Sequence, residues 1–400
     1  MNDLLLKKYE DFRSRNIKID ITRGKPEASQ LDLSNDLLNI EIDHIAENNV
    51  DIRNYGEPLG LIEARRFGSD LLDAPVENII TGEQSSLLLS YQTILAHYLF
   101  GKSTPWKDIK NPKFICPVPG FDRHFQIFED FKIEMIPLPL VEEGLDLKAL
   151  EDILETHENV MGIICVPRHS NPSGEVYSDA NIKQMFDITK KYSEEFLILF
   201  DNAYLFHDFL PTKEQTPVWK LAEESGATHQ VVVATSFSKV TFGGGGLTFM
   251  AADAKNLELI KRIRTSMVIC PDKVNQIRHL KFIASKDAVL AHMQKHAALV
   301  RPKFELVYEK LDSIGDIFGS YTKPTGGYFI TYKTKKPIAN KVNQLCKEMG
   351  VLLTPASAIF PYGHNPDDNL MRIAPTFITI NELEIAMDVF LIAVQMAHND

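Results

Sequence analysis

Several side chains along this chain follow one another in an order suited to carbonyl chemistry. Ser236-Phe237-Ser238-Lys239 comes directly after the apolar run Val231-Val232-Val233-Ala234, so the Lys239 amine stands where a buried strand gives way to a loop of small residues. A lysine desolvated in this way can form a Schiff base with an aldehyde. Asp201-Asn202-Ala203-Tyr204 offers a carboxylate and a phenol at the end of the apolar run Phe196 to Phe200, and Ser170-Asn171-Pro172-Ser173-Gly174 offers an amide after Gly162 to Val166. Far downstream, Arg372 supplies a guanidinium.

In open α/β sheets ligands bind beyond the carboxyl ends of the strands, where these groups lie. An amide, a carboxylate and an amine at three strand ends describe a site for a protonated heteroaromatic ring with a phenolic oxygen. Asp201 would hold the ring-nitrogen proton, Asn171 and Tyr204 the phenolate, and Lys239 the aldehyde, which is what pyridoxal phosphate requires. Each residue also has a plainer reading: a helix cap for Asp201, a turn for Asn171-Pro172, core packing for Tyr204 and a solvated loop for Lys239. Their joint order favours the site.

Composition sets the class in which this chemistry operates. The chain has 400 residues, 44% hydrophobic and 24% charged, which is ordinary globular material for about two or three domains. A net charge of −11 without a long basic run argues against a nucleic-acid partner. No stretch has the length or apolarity of a membrane span, and residues 1–18 lack a signal-peptide core, so a cytoplasmic protein is expected. The four cysteines form no C-x-x-C pair and are expected reduced. The twelve histidines include no H-E-x-x-H, so no metal is expected.

Short apolar runs alternating with helical stretches predict an α/β fold with a mostly parallel central sheet covered by helices. Strands are expected at Asn78 to Thr81, Lys113 to Cys116, Ile133 to Pro137, Gly162 to Val166, Phe196 to Phe200 and Gln230 to Ala234, with helices at Leu61 to Leu72, Gln84 to Phe100 and Phe121 to Phe131. After about residue 290 a long helix, Ala291 through Leu311, and strands near Tyr321 and Tyr328 to Tyr332 predict a smaller α+β domain. The expected division is a segment at 1–50 that completes the small domain, a large domain at 51–290 and the small domain at 291–400.

The chain resembles the fold type I, class I/II pyridoxal phosphate-dependent aminotransferases, most of all the Ic-type aspartate aminotransferases. The resemblance rests on Arg23-Gly24-Lys25-Pro26, Asn54-Tyr55-Gly56-Glu57-Pro58-Leu59-Gly60, Pro119-Gly120-Phe121-Asp122-Arg123-His124-Phe125, the three motifs around Asn171, Asp201 and Lys239, and Met371-Arg372-Ile373-Ala374-Pro375. It implies an obligate homodimer with active sites shared between subunits, acting on an amino acid and a 2-oxo acid. It further implies that Lys239 carries the cofactor and moves the Cα proton, and that Arg372 clamps the substrate α-carboxylate. Phe121 would stack on the ring, and Ser236 with Gln84, Ser85 and Ser86 would cradle the phosphate at a helix start. Tyr55 would reach the neighbouring subunit's phosphate.

Two positions depart from the family pattern. Leu247 stands where many class I relatives carry a phosphate-binding arginine, after Gly243-Gly244-Gly245-Gly246, whose glycines permit either close approach or positive φ. Arg168-His169 precedes Ser170-Asn171 where a less charged pair is expected, and Arg168 reads as a surface residue. A dicarboxylate substrate needs a second cation; Arg23, beside the turn at Gly24, is preferred over Arg123. Aspartate with 2-oxoglutarate is the expected pair, alongside three alternatives: transamination of another amino acid, aromatic ones included; another pyridoxal phosphate reaction, β-elimination or decarboxylation; and a non-catalytic cofactor-sensing domain.

Overall fold

The structure, a computed structural model, describes residues 3–399. Its centre is an eight-stranded sheet ordered Ile79–Gly82, Thr248–Ala252, Val231–Ser236, Leu197–Asp201, Val160–Cys165, Lys113–Val118, Glu134–Val141, Gly144–Leu145. The five strands from Val231–Ser236 to Glu134–Val141 are parallel neighbours. The four from Val231–Ser236 to Lys113–Val118 are buried on both faces, which explains why they read as continuous apolar runs, whereas Glu134–Val141 leaves one face exposed. Successive residues serve opposite cores: Ile198, Phe200, Val231 and Val233 meet one, and Leu197, Leu199, Val232 and Ala234 the other. Helices Ile62–Leu72, Leu147–Thr156 and Asp179–Tyr192 cover the first face, and Ser86–Leu99, Asp122–Asp130 and Ala254–Met267 the second.

Thr248–Ala252 is a strand that the apolar-run reading did not anticipate. It runs antiparallel to both neighbours, and its register pairs Thr248 with Ser236 on one side and with Gly82 on the other. This pairing brings the turn after Gly82 to the same sheet edge as Ser236. Ser85 then caps helix Ser86–Leu99, accepting from the Leu88 N–H at 3.3 Å, so the N–H groups of its first turn open beside the Lys239 loop.

A three-stranded antiparallel sheet, Gly319–Tyr321, Ile330–Thr334 and Leu370–Ile373, lies on a separate core. That core takes Leu5, Tyr9 and Phe12 from helix Asp3–Ser14 together with Phe390 and Val394 from helix Ile380–Asn399. Strand Ile19–Asp20 pairs with Val351–Leu352. The long helix starts earlier than expected, at Lys286, because Ser285 caps it by accepting from Ala288 N–H at 3.2 Å. It reaches Asp312 and joins the two cores: Val289 and Met293 pack against the large sheet, while Val300, Phe304 and Val307 pack against the small one.

Arg168 is not a surface residue. It is buried and forks onto Asp208, with Nε to Oδ1 at 3.1 Å and Nη2 to Oδ2 at 2.6 Å, while His169 Nε2 meets the same Oδ1 at 2.6 Å. The charged pair therefore ties the loop bearing Ser170-Asn171 to the segment after Tyr204. Cys116, Cys165 and Cys346 are buried free thiols, and Cys270 is a partly exposed one.

Candidate active site

A cavity of about 510 Å³ opens at the carboxyl ends of the parallel strands. Lys239, Asp201, Asn171, Tyr204, Phe121, Ser85, Ser86, Ser236, Arg372, Arg23, Arg123 and Gly24 all line it. These residues come from seven separate stretches of chain, so the sheet topology is what assembles them. A larger cavity of about 710 Å³, lined by Leu71, Arg168 and Trp219 among others, includes neither Lys239 nor Arg372.

Lys239 is partly enclosed, with Nζ 4.9 Å from the centre of the Tyr204 ring. Burial lowers the pKa of its amine below the ordinary lysine value, against the raising pull of Asp201. Asp201 is 4% exposed. Burial alone would raise its pKa, but the His124 hydrogen bond and charge, the Ser86 hydroxyl and Lys239 outweigh it, and the carboxyl stays below its ordinary value. His124 Nε2 lies 2.8 Å from Asp201 Oδ2, whereas Oδ1 is buried without a partner. A buried carboxylate oxygen without a donor is costly, and a ring N–H is the group that would complete it.

Arg372 is 3% exposed. Its Nη2 donates to Thr354 Oγ1 at 2.9 Å and to the Thr22 carbonyl at 3.0 Å, Nε reaches Thr354 Oγ1 at 3.3 Å and Nη1 reaches Asn171 Oδ1 at 3.3 Å. The guanidinium also lies over the Phe329 ring, 4.8 Å from its centre. Among the described residues it has no carboxylate in salt-bridge range. Burial lowers its pKa, opposed by the charge of Asp122 and by Tyr204.

Gly24 touches the cavity through its backbone, because an added Cβ would fall 2.4 Å from Phe329 Cζ. Phe121 caps helix Asp122–Asp130 and meets His124 edge-on, ring centres 5.0 Å apart. Ser236 Oγ shares a 2.6 Å hydrogen bond with Ser238 Oγ, and Ser238 in turn donates to the Gln84 carbonyl. The Gln84 side chain is exposed and outside the cavity, so only its carbonyl enters this network. Tyr55 is 77% exposed and also lies outside its own chain's cavity.

Leu247 is buried in the large core, facing away from the cavity, and its carbonyl accepts from Phe237 N–H at 2.8 Å. None of Gly243, Gly244, Gly245 and Gly246 has a positive φ, and a Cβ added at Gly244 or Gly245 would meet nothing within 4 Å. The smallness of Gly244 and Gly245 is therefore not required by this chain's own packing, whereas a Cβ at Gly246 would fall 2.9 Å from Ser238 N. Of the two readings that the glycines allow, close approach is the one the backbone leaves open.

Several positioning groups escaped the sequence reading. Thr354 and Thr22 orient Arg372, and His124 orients Asp201. Lys273, itself buried, donates to the carbonyls of Asn54 and Gly56 on either side of Tyr55. Only His124, one turn into the helix that Phe121 opens, lay within a motif already singled out.

Comparison with known proteins agrees with this geometry. The family described as Aspartate amino-transferase matches residues 2–400. The chain belongs to that family. It is 38% identical over 397 residues to a putative aminotransferase of Mycolicibacterium smegmatis, covering 97% of this chain and 92% of that one. It is 36% identical over 392 residues to an aspartate aminotransferase of Corynebacterium glutamicum, covering 96% and 90%. A crystal structure of an aspartate transaminase from Corynebacterium glutamicum superposes with a TM-score of 0.94 at 35% identity, covering 99% of this chain and 95% of that one. The protein is thus an aspartate aminotransferase-like enzyme of the fold type I class, and the family implies pyridoxal phosphate. Among the described residues no helix is long and apolar enough to cross a membrane.

Proposed function

We propose that the protein transfers the amino group of aspartate to 2-oxoglutarate with pyridoxal phosphate held at Lys239. The observation that carries this reading is the buried Arg372 guanidinium, which faces the cavity beside Lys239 and lacks a carboxylate partner. A buried cation left in this state is suited to take a carboxylate bidentately, and every amino acid supplies one at Cα.

The residues present fit the cofactor. Asp201 Oδ1 would receive the ring N–H, Asn171 and Tyr204 would hold the phenolic oxygen, and Phe121 would cover one ring face. Ser236, Ser85, Ser86 and the first-turn N–H groups of helix Ser86–Leu99 would surround the phosphate, with Gly243 admitting its backbone close by. When bound, the cofactor supplies an electron sink for the bond to be broken at Cα. The chain's own residues then divide the work: Arg372 fixes the α-carboxylate, Asp201 keeps its negative charge through His124, and the Lys239 amine moves the Cα proton. The lowered pKa of that amine favours its unprotonated, basic form.

For the distal carboxylate we propose Arg23, with Arg123 as its neighbour; both line the cavity mouth. We propose also that two chains share their sites in a homodimer, since Tyr55 projects from a loop braced by Lys273 and Gly244-Gly245 face open space. A division at residues 1–50, 51–290 and 291–400 and a cytoplasmic location complete the reading.

The test is a half-reaction. The purified protein with cofactor should lose its visible absorbance when aspartate is added alone and recover it when 2-oxoglutarate follows. Spectral change with no recovery would point to elimination or decarboxylation, and no change with any amino acid to a cofactor-sensing role.

A further inference from the structure

Asp122 stands behind the two arginines at the cavity mouth. It is the first residue of helix Asp122–Asp130 and follows Phe121 directly. Its Oδ2 accepts from Arg23 Nη1 at 3.3 Å and lies 3.9 Å from Arg123 Nε, while Oδ1 is buried without a hydrogen-bond partner. Arg23 and Arg123 line the cavity and Asp122 does not. A place in a helix first turn accounts for a negative charge at this position, through the helix dipole. It does not account for the two guanidinium groups gathered on one carboxylate.

The arrangement has opposite consequences for two kinds of substrate. With a neutral side chain in the pocket, Arg23 keeps Asp122 as its partner. With an acidic side chain, the distal carboxylate must share Arg23 with Asp122, placing two like charges on one guanidinium. The Arg23 and Asp122 side chains are 43% and 23% exposed, and a pair so open to solvent orients its members only weakly. Repulsion across the shared cation is the stronger effect.

We propose that Asp122 is a specificity-determining residue, an internal carboxylate that competes with the substrate's distal carboxylate for Arg23 and keeps the pocket open to neutral amino acids. This rests on the reading that an arginine at the mouth binds the distal carboxylate.

The experiment compares kcat/KM for aspartate and glutamate with that for alanine in the cofactor-loaded parent, Asp122→Asn, Asp122→Ser, Arg23→Gln and Arg123→Gln. Any effect felt through Arg372 acts on the α-carboxylate common to all substrates and cancels in the acidic-to-neutral ratio. The ratio should rise roughly fivefold in both Asp122 variants, mainly through KM of the acidic substrates, on the scale of a partly screened like-charge contact. It should fall in Arg23→Gln. Two Asp122 replacements guard against one that fails to fold, and thermal unfolding of each checks this. If Arg23→Gln lowers the ratio while both Asp122 variants leave it unchanged or lower it, the competition is refuted and the distal clamp stands. If neither arginine variant lowers it, the distal clamp is refuted, and the role of Asp122 with it.

Discussion

Replacing Arg372 by glutamine removes a guanidinium that four hydrogen bonds hold to Thr354, Thr22 and Asn171. The variant loses the counter-charge for the substrate α-carboxylate in a buried site and leaves Thr354 Oγ1, the Thr22 carbonyl and Asn171 Oδ1 short of donors. Truncating one member of a buried, hydrogen-bonded charge pair costs about 2–5 kcal/mol. At about 1.4 kcal/mol per tenfold, that is a fall of about 30- to 4,000-fold in kcat/KM. Because every amino acid carries the α-carboxylate, aspartate, glutamate and alanine should fall by the same factor. Arg372→Lys should recover little, since an ammonium cannot reproduce a planar two-point contact. Initial rates over a substrate series, with thermal unfolding to confirm the fold, make the comparison. A fall of less than about fivefold, or one confined to acidic substrates, would refute Arg372 as the α-carboxylate clamp.

Asp201→Asn keeps the shape but removes the charge stabilised by His124, so single-turnover rates should drop by about 100- to 1,000-fold, and rates within tenfold of the parent would exclude Asp201 as the ring-nitrogen partner. Acid should destabilise the fold through buried neutral histidines. Burial, with Lys102 nearby, pushes His97 down to about 3, and burial, with His292 nearby, pushes His296 down to about 4. The unfolded chain binds their protons below about pH 6.5 and the folded one does not, so their contribution is complete above that pH and declines as pH falls toward 4. Urea titrations of His97→Gln should show a pH slope shallower by about 1.4 kcal/mol per unit between about pH 5.5 and 4; an unchanged slope excludes His97 as a source. Asp208→Asn takes the fork partner from the buried Arg168. Because the aspartate side chain is 40% exposed, the expected loss is about 1–2 kcal/mol, and an unchanged midpoint in urea would count against Arg168 as an anchor of the Asn171 loop.

The parallel part of the fold was legible because strands buried on both faces must be largely apolar, as residues 197–200 and 231–234 are. Strand Thr248–Ala252 was not, because four glycines before it read as loop and its antiparallel direction depends on partners distant in sequence. The lining of the cavity was legible where chemistry restricts the residue type: Lys239, Asp201, Asn171, Tyr204 and Arg372 all reach it. Groups that orient these residues are generic hydrogen-bonding side chains, and Thr354 or Lys273 could not be told from any other threonine or lysine without the fold. Arg168 was misread for a related reason. Its environment depends on Asp208, which lies on another loop, and nothing local to Arg168 marks that pairing.

The central claim is that Lys239, alone among the lysines, holds pyridoxal phosphate through its amine. The most direct test is borohydride reduction of the cofactor-loaded protein, followed by proteolysis and mass mapping of the phosphopyridoxyl group. A single modified peptide carrying Lys239 is expected, and no fixed cofactor after reduction of Lys239→Ala. Modification of a different lysine, or undiminished fixation in the Lys239→Ala protein, would contradict it.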